Sequence, residues 1–196
     1  MTKRPMVGIV GTGKIIRESV GAMRQTGWNV AAIWGRNHDK ACAIAEELSI
    51  EKVYATYDEL LTSGVDFVYI GLTNNVHYEF AMKALEMGVN VLVEKPFCST
   101  FEQAAVLASK AREKGLGIIM DIVPNHAGSG HWWMKDVPFK DWYHVFDTYT
   151  GSNIVFSTNM DPNASKHDLY IQESGWFVPS MPDMNLNNEF VLNYFK

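Results

Sequence analysis

The sequence has few cysteines and no long hydrophobic run. Its two cysteines, Cys42 and Cys98, are too few for a disulfide framework and fall in segments that we expect to be buried, which favours a reducing compartment. No apolar stretch approaches the ~20 residues that cross a bilayer, and the N-terminal MTKRPMVGIVGTGK lacks the apolar core of a signal peptide. We therefore expect a cytoplasmic protein with no membrane partner.

An excess of positive charge is also lacking. Seventeen basic and 22 acidic side chains give a net charge of -5, so no summed positive field would hold a phosphate backbone, and a nucleic-acid partner is not expected. Hydrophobic residues make up 47% and charged residues 20%, which is ordinary globular composition. A chain of 196 residues can form one large domain, or one domain with an appendage.

Up to about residue 120, short β-branched runs alternate with helical patterns. This alternation predicts a Rossmann-like, doubly wound parallel sheet of the α/β class, and we assign residues 1–123 to it. A helix is predicted to end near Gly88, and the next to begin at Ser99 or Thr100, with a capping box to Glu102 if Ser99 is the cap. The predicted strands lie at residues 6–10, 29–35, 53–56, 65–72 and 90–96 and within 115–123.

The pattern changes beyond Pro124. Five of the seven prolines and four of the six tryptophans follow Met120, whereas eleven of the fifteen glycines precede it. No period of 2 or 3.6 persists, which predicts a long irregular segment with short helical turns over residues 124–196. We expect this second region to be less ordered than the first.

The sequence VGIVGTGKIIRESV contains a glycine turn between a strand and a helix. Gly11 allows the tight turn, and Gly13 allows backbone amides to approach a pyrophosphate at the helix N-terminus, where Lys14 and Ile15 follow. Ile16 stands where the dinucleotide fingerprint has its third glycine, and we expect so bulky a residue to open the packing of helix on strand. An ordinary strand-to-helix turn is the alternative interpretation.

The end of the second predicted strand bears on which dinucleotide would bind. It reads Gly35-Arg36-Asn37-His38, with no acidic residue about 20 to 25 positions past the turn to bind a free ribose 2′-hydroxyl. A guanidinium can bind two oxygens of a 2′-phosphate, so Arg36 favours NADP over NAD as cofactor. The alternative is that Arg36 is a solvated surface residue.

The segment LTNNVHYEFAMKALEMGVNVLVEKPFC resembles the Gfo/Idh/MocA family of NAD(P)-dependent oxidoreductases. Two of the family's turns match here, Asn74 with His77 and the triplet Glu94-Lys95-Pro96. The resemblance covers about residues 5–116 and implies that Lys95 lies beside the nicotinamide and the substrate hydroxyl, as a catalytic residue. It implies a sugar or small-molecule alcohol as substrate, and it places Thr73, Asn74, His77 and Glu94 at the cofactor side.

Each assignment from this family has a plain alternative. Lys95 could be a surface lysine after a strand, and His77 a cap or packing residue at the start of a helix. The family's second domain, which supplies the substrate pocket, is not found after the strand near residue 118. We therefore expect nucleotide binding, while turnover as an NAD(P)-dependent oxidoreductase lacks half of its groups.

The segment IIMDIVPNHAGSGHWWMKDVPFKDWYH is similar to the third-strand region of the α-amylase superfamily, in its neopullulanase-like branch. The motif Asp121-x-x-x-Asn125-His126 matches, and Met181-Pro182-Asp183-Met184-Asn185 stands where the branch has a related motif. The likeness covers about residues 114–196. It implies that Asn125 and His126 serve a sugar site, and no metal ligand set is assigned.

Four tryptophans after Pro124 have two interpretations. Their faces could stack on sugar rings, or the aromatics could form the small core of the segment itself. The four are Trp132, Trp133, Trp142 and Trp176. Glycoside hydrolysis also needs two carboxylates that flank the bond, and neither is present, so hydrolysis by this chain alone is not expected.

The two resemblances meet at AREKGLGII, a helix, turn and strand that either family could supply. The chain is therefore interpreted as a chimera of an oxidoreductase nucleotide-binding domain and an α-amylase fragment. The alternatives are a carbohydrate-binding or glycoside hydrolase fragment of the α-amylase family and an inactive chimeric scaffold. A homo-oligomer is compatible with the sequence.

Overall fold

The computed structural model describes residues 4–119, 124–145, 149–153, 158 and 160–195. The chain divides into two compact units, Met1–Ile119 and Met120–Lys196. Within the described ranges, no helix combines the length and apolar character needed to cross a bilayer.

The first unit has alternating strands and helices on a parallel sheet, which confirms the predicted α/β class. Its five parallel strands stand in the order β3-β2-β1-β4-β5. The strands are β1 Met6–Val10, β2 Asn29–Trp34, β3 Lys52–Val53, β4 Phe67–Ile70 and β5 Asn90–Val93. The helices between and after them are α1 Lys14–Gln25, α2 His38–Glu47, α3 Tyr57–Thr62, α4 His77–Glu86 and α5 Phe101–Glu113. Because β1 is central and the chain crosses from β3 to β4 beyond it, the strand order reverses between β1 and β4.

Both faces of this sheet are covered, as a run of buried apolar strand residues requires. On one face, Val7 and Ile9 of β1 pack in a cluster with Ile16 of α1 and Ile44 of α2. On the other face, Val10 and Val68 pack in a cluster with residues of α3, α4 and α5. Gly8 permits close packing there, since a Cβ at this position would stand 2.9 Å from Cδ1 of Leu60.

Several local expectations change in detail. Of the two predicted caps of α5, Thr100 is confirmed and accepts from the Gln103 amide, so the condition for a capping box from Ser99 to Glu102 is not met. Residues 116–119 form no strand, and the rest of the sixth predicted strand lies outside the described residues, as does Asp121. Cys42 is exposed rather than buried. Gly88 follows α4 with a φ of 74°, as expected for a glycine that ends a helix.

The second unit is irregular, with helices α6 Lys166–Ser174 and α7 Glu189–Tyr194 and a 3₁₀ turn at Trp132–Met134. Residues 182–185 run between two other segments: the Met184 amide donates to the Asn125 carbonyl at 2.9 Å, and the Asn185 amide to the Trp142 carbonyl at 3.0 Å. An aromatic core made of Trp133, Trp142, Tyr143, Met184 and Val191 packs around them.

Candidate functional site

The turns that follow β1, β2 and β4 surround a cavity of about 400 Å³ in the first unit. This edge of the sheet is where the strand order reverses, and open α/β sheets bind ligands at such a point. Its lining residues are Gly11, Thr12, Gly13, Ile15, Arg36, Asn37, Lys40, Gly71, Leu72 and Thr73.

The glycine turn is required by the close approach of two backbones. Gly11 has a φ of 127°, and a Cβ there would stand 2.6 Å from the Gly71 carbonyl oxygen. The chain then enters α1 with Gly13 as N-cap, and this glycine has no side chain to cap the helix. The Ile16 amide donates to the Gly13 carbonyl at 3.2 Å, and the amides of Lys14 and Ile15 before it are available to an anion at the positive end of the helix dipole.

Ile16 does not open the packing, contrary to the expectation from its size. Its side chain is fully buried, and a Cβ added at Gly71 would stand 2.7 Å from its Cδ1 atom. The glycine at the end of β4 thus provides the space that the third glycine of the fingerprint provides elsewhere. The close packing of the glycine turn is therefore kept by Ile16 and Gly71 rather than by a third glycine in the turn.

Two cations and an asparagine stand at one end of the cavity. Arg36 follows β2, Asn37 is the N-cap of α2, and Lys40 lies in the first turn of that helix. The Asn37 side chain accepts the Lys40 amide at 2.9 Å, so this helix start is already capped. Neither Arg36 nor Lys40 is paired with a carboxylate within the described part of the chain, which leaves both charges available to an anionic group.

The cavity gathers five of the residues predicted for cofactor binding: Gly11, Gly13, Ile15, Arg36 and Thr73. Five predicted positions are not among its lining: Lys14, Asn74, His77, Glu94 and Lys95. Sequence reasoning missed Thr12, Asn37, Lys40, Gly71 and Leu72. Lys40 had a weak signal, because it is a cation in the first turn of the helix that follows Arg36.

The Glu94-Lys95-Pro96 turn follows β5, with a cis peptide bond between Lys95 and Pro96 and an exposed Lys95. The Glu94 carboxylate accepts the Tyr69 hydroxyl at 2.5 Å and the Lys95 amide at 3.3 Å. Burial raises the pKa of Tyr69 well above its usual value, and the bond to Glu94 adds to this rise. Glu94 is therefore engaged by protein groups on both oxygens.

His77 is not among the residues that line the cavity, and its role in cofactor binding stays a prediction. The residue is completely buried. Nδ1 lies 2.9 Å from the Pro96 carbonyl oxygen and Nε2 lies 3.0 Å from that of Leu72. The ring thus links the turn after β5 to the end of β4, which matches the alternative that His77 is a packing residue.

The second unit contains the residues proposed to contact sugar. Nδ1 of His126 lies 2.7 Å from Oδ1 of Asn125, and its ring lies 5.2 Å from that of Phe177. Burial raises the pKa of Asp183 to about 7 and lowers that of His144, whose Nε2 lies 3.8 Å from the Asp183 carboxylate. No group of three or more potential metal-binding side chains occurs among the residues with described positions.

The tryptophans mainly form a core. Trp133, Trp142 and Trp176 are 6%, 4% and 5% exposed, whereas Trp132 is 60% exposed. The packing interpretation therefore holds for three of the four, and Trp132 alone of these four presents an open face.

Comparison with curated proteins gives relatives that act on sugars. The chain is 37% identical over 111 residues to a 1,5-anhydro-D-fructose reductase of Ensifer adhaerens, covering 56% of the chain and 33% of that protein. It is 32% identical over 116 residues to an NADP-dependent D-xylose 1-dehydrogenase of Haloferax volcanii, covering 58% and 36%. An uncharacterized oxidoreductase of Rhizobium meliloti matches with 38% identity, over 84% of the chain and 49% of its own length. The chain thus spans about a third to a half of these relatives.

Solved structures show the same likeness. A 3-ketoreductase from Actinomadura kijaniata in complex with NADP shares 34% identity at a TM-score of 0.55–0.56 in two of its structures, and in both the match covers 60% of this chain and 38% of that one. A UDP-N-acetylglucosamine 3-dehydrogenase from Acidithiobacillus ferrooxidans shares 29% identity at a TM-score of 0.54, over 59% and 37%. The gentamicin-pathway protein GenD2, in complex with NAD, shares 27% at a TM-score of 0.55, over 59% and 34%.

Two family models match, each over more than half of the chain. One describes an oxidoreductase family with an NAD-binding Rossmann fold and matches residues 6–121. The other describes the α-amylase catalytic domain and matches residues 93–196. The chain belongs to the Gfo/Idh/MocA oxidoreductase family through its first match and to the α-amylase catalytic-domain family through its second.

Proposed function

We propose that the first unit is the nicotinamide-dinucleotide-binding domain of an oxidoreductase and binds NADP or NAD. The observation that carries this proposal is the cavity at the reversal of strand order, where the uncapped start of α1 and two cations face one space. Complexes of similar structures with NADP and NAD support it. The two unpaired cysteines fit a reducing compartment such as the cytoplasm.

The charges of the cavity favour NADP. In this proposal the pyrophosphate lies at the start of α1, beside Gly11 and Gly13, and the 2′-phosphate lies between Arg36 and Lys40. Each charge-assisted hydrogen bond to a phosphate contributes about 1.5–3 kcal/mol, so the pair would discriminate strongly against NAD.

The proposed chemistry is hydride transfer with a sugar or another small-molecule alcohol as substrate. The nicotinamide supplies the hydride chemistry when the cofactor is bound. Lys95 is the proposed catalytic residue: its ammonium group would hydrogen-bond the substrate oxygen and favour negative charge that develops there. The sugar-modifying relatives support this substrate class. Because the chain spans only part of the length of those relatives, catalytic turnover by this chain is itself part of the proposal.

Titration with NADPH, followed by its fluorescence, tests the proposal. We expect saturable micromolar binding, and an Arg36→Glu variant should weaken it by about 10- to 100-fold, because one phosphate contact is lost and replaced by repulsion. The affinity for NADH, which has no 2′-phosphate, should change much less in the same variant. The matched control is Arg112→Glu, an equal charge change on α5. Absence of saturable binding, or equal effects of the two variants, would contradict the proposal.

A carbohydrate-binding role for the second unit is the second candidate. The α-amylase match over residues 93–196 favours it, with Asn125 and His126 as the sugar-contacting residues. Calorimetric titration with a maltooligosaccharide tests this role, and His126→Ala should abolish the heat signal. Binding of sugar without binding of NADPH would replace the first proposal by this one. No signal with either ligand would favour a scaffold that joins fragments of two families.

A further inference from the structure

A chain of three side chains links the phosphate-binding helix to the turn that carries Lys95. Ser19 lies in α1, Tyr69 lies in β4, and Glu94 follows β5. The Tyr69 hydroxyl is 2.7 Å from Ser19 Oγ and 2.5 Å from Glu94 Oε1. These are contacts between three separate elements, made by a tyrosine that is 4% exposed.

The directions of these hydrogen bonds follow from chemistry. An ionised carboxylate only accepts, so the Tyr69 hydroxyl donates its proton to Glu94, and Ser19 donates to the tyrosine oxygen. The other oxygen of Glu94 accepts the amide of Lys95. This series of hydrogen bonds therefore extends from α1 to the backbone of Lys95, and each donor in it makes one hydrogen bond.

His77 holds the other side of the same turn. Its ring lies between the carbonyl oxygens of Pro96 and Leu72. The Lys95 turn is thus fixed on one side to α1 and on the other to the end of β4. Both of these elements also border the cavity, through Ile15 and Leu72.

We propose that Tyr69 is a positioning residue that holds the Lys95 turn in the geometry that receives the nicotinamide half of the cofactor. This inference rests on the proposed function. Without the tyrosine hydroxyl, Glu94 loses its link to α1, and the turn must be ordered when the cofactor binds. In the proposed function the adenosine half of the cofactor binds beside Gly11, Arg36 and Lys40. None of these three residues takes part in the hydrogen bonds of Ser19, Tyr69 and Glu94.

Two ligands separate the halves of the site. NADPH engages both halves, while 2′,5′-ADP engages the adenosine half alone. We expect Tyr69→Phe to weaken NADPH binding by about three- to tenfold and to leave 2′,5′-ADP binding unchanged, since one hydrogen bond is removed from one half. Ser19→Ala should have a smaller effect in the same direction, because the bond between Tyr69 and Glu94 is kept.

The matched control is Tyr57→Phe. Tyr57 is 5% exposed and its hydroxyl donates to the Phe80 carbonyl at 3.0 Å, within the other core of the first unit. This variant loses the same atom from a buried tyrosine, so it should affect stability without separating the two ligands. Isothermal calorimetry of the full chain gives all affinities, and circular dichroism confirms that each variant folds.

The outcomes distinguish the two proposals. If the wild-type chain binds both ligands and Tyr69→Phe lowers both affinities equally, or neither, the positioning role is overturned while the proposed function stands. If the wild-type chain binds neither ligand, the proposed function fails and the positioning role fails with it. A selective loss of NADPH affinity in Tyr69→Phe, absent in Tyr57→Phe, establishes the role.

Discussion

The contact between Gly71 and Ile16 gives a sharp test of how this nucleotide turn packs. A Cβ at Gly71 would stand 2.7 Å from Cδ1 of Ile16, and 3.2 Å from both Cγ2 of Ile15 and Cε1 of Tyr69. Gly71 does not have a positive φ, so its backbone accepts an alanine. The cost of Gly71→Ala is therefore one of space.

Overpacking of this kind typically costs about 1–3 kcal/mol. Ile16→Val removes the Cδ1 atom that the new methyl would meet, at its own cost of about 0.5–1.5 kcal/mol. We expect the double variant to be about as stable as Ile16→Val alone. The double-mutant cycle should then give a coupling free energy equal in size to the cost of Gly71→Ala, about 1–3 kcal/mol.

Amide hydrogen exchange of the β1 segment measures this stability for the first unit by itself. Gly21→Ala is the matched control, since the added Cβ in the middle of α1 would have no described atom within 4 Å beyond its chain neighbours and the backbone of its own helix. That variant should stabilise the unit by about 0.5–1 kcal/mol through helix propensity. Two results would refute the packing argument: a neutral Gly71→Ala, or single-variant effects that simply add in the double variant.

Three further predictions concern buried groups and the second unit. His77→Ala should lower the unfolding free energy by about 1–3 kcal/mol, measured by urea denaturation, because the buried ring N–H no longer donates to the Leu72 or the Pro96 carbonyl; an unchanged midpoint would contradict this. Burial raises the pKa of Asp183 to about 7 in the folded chain, so its stabilising contribution is full below about pH 4 and is lost as pH rises through 7. Tryptophan fluorescence should show a wild-type loss of stability from pH 5 to 8 that is smaller in Asp183→Asn, whereas identical slopes would argue against a buried acid; the lowered pKa of His144 acts oppositely and is common to both proteins. Amides of residues 125–190 should exchange faster than those of β1 and β4, because the strand pairings among the described residues of this range are isolated bridges rather than a ladder; slow exchange throughout would be inconsistent with this.

Local patterns were sufficient to predict the sheet. Short β-branched runs and the helices between them define β1, β2, β4 and β5 to within a few residues, since a parallel sheet buries both faces. β3 is shorter than its predicted strand, because Lys52 and Val53 are the residues that pair with β2. Which residue caps α5 depended on Gln103. Its amide donates to the Thr100 hydroxyl, and its side-chain oxygen accepts the Ser99 amide.

The site was harder to predict where residues act across elements. The glycine turn and Arg36 are local signals and could be read directly. Gly71 could not, because its role depends on the size of Ile16, which lies far from it in the sequence. The burial of His77 between two carbonyls likewise depends on the path of the chain after β5, which no local pattern reports.

The helix α5 lies where the two families overlap, since their matches share residues 93–121. This helix has two fully or largely buried residues, Leu107 and Ala111, spaced one turn apart on the face that packs in the first unit. A helix from either family that offers two apolar residues at this spacing would satisfy that core. The match to the Rhizobium oxidoreductase covers 84% of the chain and so extends beyond residue 121. We expect that a join within or after α5 would cost the first unit little, because the clusters on the two faces of its sheet consist of residues up to Leu116.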